Sequence, residues 1–331
     1  NVFGGDLLVG AHLELDRGIN PTPRNDALSV GDHQISSEGE GLQDTENELY
    51  GASVKWNSTW GAWDVQSLTA LEGYNQRYGF DFDGTPAPFS VQSLNANLSY
   101  DRKFLQLSEE LHFERRFDWG RSLIGATGSA DTFEQVYLIW CGELDTSLKI
   151  GTCPYVGTAG RVGPTPASTG TPMSLLTLTN QDKVSVAVFS HNEIELTERL
   201  SLTLGARLTH ERIEGDGRGL HIFDDGTVGV NNRDGVGYAI GGNTVRDTRP
   251  SGNIALSYAF EKVGQLYASI SNGFKSGGFN GEVQNNSTHW IDAGLFDVET
   301  VTAYEIGYKS PIWDGLYWSV AGFYQDYDAP Q

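Results

Sequence analysis

The chain has no long run of apolar residues. Its 331 residues are 38% hydrophobic, and no stretch approaches the roughly 20 consecutive apolar residues that a transmembrane helix needs. This absence excludes a helical membrane protein. It does not exclude a transmembrane β-barrel, because only alternate residues of a barrel strand meet lipid and the average hydrophobicity therefore stays low.

Basic residues are also few. The chain carries 22 Lys and Arg against 43 Asp and Glu, which gives a formal net charge of -21 at pH 7. Nucleic acid is therefore not an expected partner, since phosphate binding requires basic patches. An acidic balance of this kind is typical of a solvated surface that resists aggregation.

Only two cysteines occur, and Cys141 and Cys153 bracket a short polar segment. A local disulfide in an oxidising compartment is the favoured interpretation, with two unrelated free thiols as the alternative. We expect no metal at this pair, because no histidine or further cysteine lies nearby. The chain opens at Asn1 without a leader peptide, which we interpret as cleavage of a leader or as an internal part of a longer protein.

Motifs of catalysis and cofactor binding are missing as well. The seven histidines show no HExxH or i, i+4 pairing, and no GxSxG elbow, Walker loop or CxxC is found. We therefore expect neither an enzyme nor a cofactor. One acidic loop carries oxygen ligands without the spacing of an EF-hand, so it is either a calcium site or a plain surface loop. Its members are Asp216, Asp224, Asp225, Asn231, Asn232 and Asp234.

The sequence does contain strong period-two alternation. Between Leu200 and Glu211, the even-numbered positions up to 208 are all apolar, and the odd-numbered positions are polar or glycine. A strand in a soluble sandwich usually has about 5–6 residues, whereas a strand that crosses a bilayer needs about 9–11. The length favours a membrane wall. Arg207 must then face a wet or protein-filled interior, because a lipid-facing arginine near the midplane would cost roughly 2–4 kcal/mol.

Similar segments along the chain predict eleven strands. They lie at residues 7–16, 48–56, 63–78, 101–117, 121–128, 185–196, 200–212, 251–260, 265–275, 300–310 and 316–327. The weakest of these predictions is the strand at 121–128. Residues 133–140 are a candidate for a further hairpin inside the long connection at 129–184.

Short and long connections alternate between these strands. The short ones are at residues 57–62, 197–199, 261–264 and 311–315. The long ones, rich in Gly, Pro and polar residues, are at 17–47, 79–100, 129–184, 213–250 and 276–299. This sorting is typical of an outer-membrane barrel, which has tight periplasmic turns and extended extracellular loops.

Tryptophans lie at or beside the short connections, where a periplasmic aromatic girdle is expected. Bulky aromatics also cap hairpins in other β proteins, which is the plainer interpretation. The five tryptophans are Trp56, Trp60, Trp63, Trp313 and Trp318.

A soluble secreted β-sandwich or propeller, acting as a lectin or hydrolase, is the alternative class of protein. It predicts strands of about 5–6 residues and apolar faces that are buried against a second sheet. A passive porin is a third possibility, which the long connections make less favoured.

Three segments resemble hairpins in the barrel domain of TonB-dependent outer-membrane receptors. Residues 185–211 are similar to the hairpin that ends in LG.R...E, and residues 250–280 to the one that ends in LYAS.S.GFK.GGFN. Residues 300–328 resemble the next hairpin, YE.G.KS...DG......FY.DY, and residues 106–113 weakly resemble the strand SQELRL. The three hairpins occur in the family's order and relative positions.

The resemblance implies an all-β, antiparallel transmembrane β-barrel of about 22 strands occluded by an N-terminal plug. Residues 1–331 would be an internal part of such a barrel, without the plug and the closing strands. The implied function is uptake of a scarce extracellular ligand, most often a ferric siderophore, by TonB-energised transport across the bacterial outer membrane. The implied partners are the TonB complex through the plug, the ligand and outer-membrane lipid.

Ionisable residues on the predicted inner face are the first site candidates, because the interior of a wide barrel must be polar. They are Arg207, Glu211, Lys275 and Glu305. In the family, barrel carboxylates near these strands pair with plug arginines, so the resemblance implies a plug-docking role for Glu305. A lumen residue without a unique partner is the alternative. Ligand contacts are expected from loop residues, namely Tyr155, His221, Phe274, Phe279, His289 and Trp290.

Overall fold

The computed structural model describes residues 4–19, 44–81, 96–141, 172–223, 228–230, 240–261, 263–279, 295–313 and 316–329. Within these residues the chain is almost entirely strand. In chain order the strands are β1 Gly5–Ile19, β2 Asp44–Trp60, β3 Trp63–Asp81, β4 Ala96–Phe117, β5 Gly120–Cys141, β6 Pro172–Glu195, β7 Leu200–Phe223, β8 Val228–Val230, β9 Ile240–Phe260, β10 Gly264–Lys275, β11 Gly278–Phe279, β12 Leu295–Phe296, β13 Glu299–Trp313 and β14 Leu316–Asp328. None of the described residues belongs to a helix long and apolar enough to cross a bilayer.

One antiparallel sheet contains twelve strands, and eleven of them, the number that the sequence predicted, form its continuous path. The order is β1-β2-β3-β4-β5-β6-β7-β9-β10-β13-β14, so each strand pairs with the next long strand along the chain. The short β8 pairs with β7, and β11 pairs with β12 in a separate two-stranded sheet. Within the described part of the chain, β1 and β14 each have one neighbour and form the two open edges of the sheet.

Most strands are longer than the sequence predicted. β6 and β7 have 24 residues each and pair along nearly their whole length. The suggested hairpin at 133–140 was wrong, because these residues continue β5 and pair with both β4 and β6. A strand that extends beyond the bilayer needs no apolar face. The alternation that marks its membrane part therefore ends before the strand does.

The short connections lie at one end of the sheet, as predicted. The turn between β2 and β3 has two residues, and Gly61 there has a positive φ of 64° that favours glycine. The turn between β6 and β7 is closed by the backbone N–H groups of Leu196 and Thr197, which donate to the carbonyl oxygen of Leu200 at 2.9 and 3.1 Å.

The two faces of the sheet differ in the polarity of their side chains. We call the face of Leu208 the outer face and the face of Arg207 the inner face. Leu208 is 49% exposed, and Ile254 on the outer face of β9 is 58% exposed. Across the described ranges only five apolar side chains are buried, which are Val65, Tyr137, Ala187, Ile213 and Phe279. No second layer covers the outer leucines in this part of the chain, so the soluble sandwich alternative was wrong.

Aromatic side chains gather on the outer face beside the short turns, in agreement with the expected girdle, and of the five predicted tryptophans only the side chain of Trp313 lies outside the described residues. The ring centroids of Trp56 and Trp60 are 6.0 Å apart, and those of Trp60 and Phe113 are 6.2 Å apart. Near the last turn, the Tyr308 and Trp318 rings are 5.6 Å apart. Such rings suit the boundary between hydrocarbon and water, since they are apolar with a polar edge.

Candidate functional site on the inner face

Arg207 lies on the inner face of β7, as the alternation required. Its Nη2 donates a hydrogen bond to Thr127 Oγ1 at 2.9 Å, and its Nε donates to Thr209 Oγ1 at 3.0 Å. The guanidinium carbon is 5.7 Å from the centroid of the Phe189 ring. Because Thr127 belongs to β5, this arginine reaches across β6 and links three strands from the inside.

Glu211 lies on the same face and is bound within the wall. It is 9% exposed, and its Oε1 lies 2.8 Å from Lys183 Nζ on β6. The Ser276 hydroxyl donates a hydrogen bond to Glu211 Oε2. Lys183 and Ser276 therefore satisfy both oxygens of this buried carboxylate, as a carboxylate of low exposure requires.

Residues 276–279, which we call the strap, follow β10 and return onto the inner face of β6 and β7. Phe279 is 4% exposed, and its backbone oxygen accepts a hydrogen bond from Gln181 Nε2 at 3.2 Å. Its ring covers Gly215, where a Cβ would lie 2.5 Å from the ring. Only glycine at 215 leaves room for this contact. The strap is thus held by one carboxylate, one amide and one aromatic ring.

Glu305 lies on the inner face of β13 and is exposed. The Tyr267 hydroxyl on β10 donates a hydrogen bond to Glu305 Oε1. The Tyr267 ring lies over Gly307, where a Cβ would meet the ring at 2.5 Å. Lys309 Nζ is 5.1 Å from the centroid of the same ring. This arrangement holds the Glu305 carboxylate towards the interior, with its Oε1 hydrogen-bonded to Tyr267.

The remaining predicted residues are placed as follows. Lys275 ends β10 and is in register with Glu299, whereas Phe274 takes the opposite face, which it shares with Ile270. His221 is in register with Gly229 of β8, but its side chain lies outside the described residues, as do Tyr155, His289 and Trp290. Ligand contact by these residues, including the buried Phe279, stays a prediction.

Two further predictions fall mostly outside the described residues. Cys141 ends β5, but neither its side chain nor Cys153 is described, so the disulfide stays a prediction. Of the acidic loop only Asp216 is described, and it accepts hydrogen bonds from Asn180 Nδ2 at 3.5 and 3.4 Å. In the described ranges no group of three or more His, Cys, Asp or Glu side chains could hold a metal ion.

One inner-face cluster was missed from the sequence. Arg121 lies between Glu114 on β4, at 3.2 Å, and Glu193 on β6, at 2.8 Å. His191 Nε2 is 3.5 Å from Glu193. The two glutamates are 7 and 72 residues away from Arg121 in the chain. The available signal was a charged residue at an inner position of β5, the strand that the sequence indicated least clearly.

The inner face is therefore lined by linked charges, while the outer face is mostly apolar, with Glu109 as one polar exception that accepts hydrogen bonds from Ser67 and Thr69. Arg121, Arg207, Lys183 and Glu211 each contact a side chain of a neighbouring strand or of the strap. Such a wall can enclose a polar passage or a plug domain, and it can bind charged groups there.

Several solved structures have a similar fold. The ferric yersiniabactin uptake receptor FyuA from Yersinia pestis matches 97% of this chain over 42% of its own, with a TM-score of 0.67 and 16% identity. The siderophore receptor PiuA from Acinetobacter baumannii matches 97% over 47%, with a TM-score of 0.63 and 15% identity. The Ferric-Catecholate import receptor Fiu from E. coli K12 matches 98% over 49%, with a TM-score of 0.62 and 13% identity.

This chain spans less than half the length of each of these three structures. No curated protein matches its sequence. A family model, described as TonB dependent receptor-like, beta-barrel, matches residues 4–330. Barrels of this family are bacterial outer-membrane proteins. The chain belongs to the TonB-dependent receptor-like β-barrel family.

Proposed function

We propose that the chain forms part of the wall of a receptor that takes up a scarce extracellular ligand by TonB-energised transport. The observation that carries the proposal is the inner face, where ion pairs and hydrogen bonds link charged residues along strands longer than a bilayer crossing. A polar lining of this kind suits a wide passage that is filled by water or by a plug.

A ferric siderophore is the first ligand class to test. FyuA, PiuA and Fiu are named as ferric or siderophore receptors, and they support this class for the present chain. The proposed receptor binds and moves its ligand without transforming it chemically, so it is not an enzyme. This part rests on the family, which consists of transport receptors.

We further propose different roles for the inner-face residues. Glu305 is exposed and has one oxygen bonded to Tyr267, so its carboxylate can receive a cationic group of a plug. Glu211 is already bound by Lys183 and Ser276, and its role is to hold the strap. Arg207 braces β5, β6 and β7, and Lys275 stands at the end of β10 where a ligand or plug would pass.

The proposal is tested in a strain from which the gene of the full-length receptor is deleted. Uptake of radiolabelled iron is measured with a panel of ferric catecholates, hydroxamates and phenolates under iron limitation. We expect uptake of one of these complexes to be lost and to return with the wild-type gene. In a strain that lacks TonB, binding of that complex to cells should persist while its uptake is lost.

Two variants test the proposed role of Glu305, with sensitivity to a large antibiotic as the measurement. Glu305→Gln removes the proposed plug contact and should increase sensitivity to a large antibiotic that ordinary porins exclude. Glu72→Gln is the matched control, because Glu72 is also an inner carboxylate and its partner is His12 at 3.2 Å. Uptake that continues without TonB would indicate a passive porin and would overturn the proposal.

A further inference from the structure

Arg115 lies on the outer face of β4, close to the turn that leads to β5. Its neighbours Glu114 and Arg116 have the opposite parity and face the interior. The guanidinium carbon of Arg115 is 4.7 Å from the Phe117 ring centroid and 5.8 Å from that of Trp63. The cation therefore rests on aromatic rings at the level of the short turns, where an outward arginine is much less unfavourable than at the midplane of the bilayer.

This arginine has no anionic partner in the described part of the chain. Its Nε is buried and has no hydrogen-bond acceptor. The adjacent Glu114 is turned inward, where it binds Arg121 at 3.2 Å. The aromatic rings cover one side of the guanidinium and supply no acceptor for its N–H groups. The terminal Nη groups are not among the buried unpartnered atoms and have no acceptor among the described residues, so an anion outside the wall can contact them.

An apolar groove of about 440 Å³ lies on the same face beside Arg115. It is lined by Trp60, Trp63, Phe113 and Ile124, all on the outer face by the register of β2 to β5. Trp60 is 56% exposed, so part of the lining is open to the surroundings. The groove and Arg115 share the Trp63 ring, which makes them one continuous surface.

The strand register gives the position of Arg115 relative to the groove. Phe113 and Ile124 are in register and lie on the side away from the turn, towards the centre of the wall. One step nearer the turn, Arg115 is in register with Ser122, whose hydroxyl donates to Asn192 Oδ1 at 2.7 Å. The cation therefore lies on the turn side of Phe113 and Ile124, with the Trp63 ring at its own level. The Phe117 ring lies beyond it, next to the turn.

We propose that this surface binds one glycerophospholipid of the periplasmic leaflet. The phosphate contacts the Arg115 guanidinium, and an acyl chain lies in the groove of Trp60, Trp63, Phe113 and Ile124. Short turns of outer-membrane barrels face the periplasm, which sets the leaflet. The cation directly beside an apolar groove carries the proposal, since a phospholipid matches both and a free phosphate would leave the groove empty. The site is separate from the transported ligand and lies on the other side of the wall.

The test uses the full-length receptor, purified in detergent and stripped of lipid. Dioleoylphosphatidylglycerol is added, and the lipid-bound fraction is measured by native mass spectrometry. The variant Arg115→Gln should lower the affinity about tenfold, as expected for the loss of a charge-assisted contact. Trp60→Ala should also weaken binding, because it opens the groove.

Arg116→Gln is the matched control, since it removes the same charge one residue away on the inner face. Its lipid affinity should equal that of the wild type. Heat-dependent mobility on gels confirms that each variant is folded before the titration. Arg115→Lys keeps the charge and should retain most of the binding, which separates loss of charge from loss of shape.

Three results would overturn the proposal. One is an equal loss of affinity in the Arg115→Gln and Arg116→Gln variants, or no loss in either. Another is equal binding of dioleoylglycerol, which has no phosphate. The third is full displacement of the lipid by inorganic phosphate at low millimolar concentration, which would make Arg115 a site for free phosphate.

Discussion

Adjacent residues of one strand face opposite environments in this chain. Arg207 donates to Thr127 and Thr209 on the inner face, and Leu208, the next residue, is 49% exposed on the outer face. The two hydroxyls compensate the arginine for part of its lost hydration. An arginine on the outer face of the mid-wall would have no such acceptors, because lipid offers none.

This difference predicts the outcome of a pair of substitutions on β9. Leu256→Arg places a cation on the outer face, where Leu256 is 45% exposed. We expect the free energy of unfolding to fall by about 2–4 kcal/mol, since the charge meets hydrocarbon. The measurement is urea unfolding of the full-length receptor refolded into lipid vesicles.

Ala255→Arg is the control for this substitution. It adds the same side chain one residue earlier, on the polar inner face, and should change the free energy of unfolding by less than about 1 kcal/mol. A larger loss from Ala255→Arg than from Leu256→Arg would reverse the assignment of the two faces.

At the scale of elements, the strap, which belongs to the connection between β10 and β13, packs against the inner face of the sheet. It contacts β6 and β7, and within the same connection its Gly278 and Phe279 pair with β12. Glu211 accepts a hydrogen bond from the Ser276 hydroxyl, and the Phe279 ring covers Gly215. The strap therefore couples distant strands of the sheet from the inside.

A double-mutant cycle tests this coupling. Gly215→Ala places a Cβ 2.5 Å from the Phe279 ring and should destabilise the receptor by about 1–3 kcal/mol, because the ring must move. In a Phe279→Ala background the same substitution should cost much less, so the two effects are not additive. Urea unfolding of the four proteins gives the coupling energy.

Gly273→Ala serves as the control at this scale. A Cβ at residue 273 would have its nearest described neighbour, Val301 Cγ1, at 3.9 Å, which is ordinary contact. It should therefore be tolerated in both backgrounds. Additive effects of Gly215→Ala and Phe279→Ala would mean that the ring does not hold the strap against β7.

For the whole molecule, the open edges are the dominant feature. β1 has 15 residues, of which all but Gly5 are exposed, and the 13 residues of β14 are all exposed. Each edge presents backbone N–H and C=O groups that lipid cannot satisfy. Both edges must therefore be paired for the sheet to be stable in a bilayer.

Residues 4–329 expressed alone should therefore fail to form a stable membrane barrel. We expect this chain, after refolding with lipid vesicles, to show no heat-dependent gel shift and to aggregate through its edges. The full-length receptor under the same conditions should show the shift. A heat-stable monomer formed by residues 4–329 would mean that β1 and β14 pair with each other.

Much of the fold followed from the sequence, and less of the site. The eleven strands of the sheet and the side of the short turns were predictable, because alternation and turn chemistry act over a few residues. The full lengths of β5, β6 and β7 were not. The ends of these strands that lie far from the short turns extend beyond the bilayer, where an apolar face is not required.

The sequence by itself determined that these strands have two faces and that Arg207, Glu211 and Glu305 share the inner one, since side-chain parity is a local property of the backbone. Only the tertiary structure decided which side chains meet. Ser276 and Glu211 are 65 residues apart in the chain, and Arg121 and Glu193 are 72 apart. Their contacts depend on strand register and on the return of the strap, which long-range pairing sets.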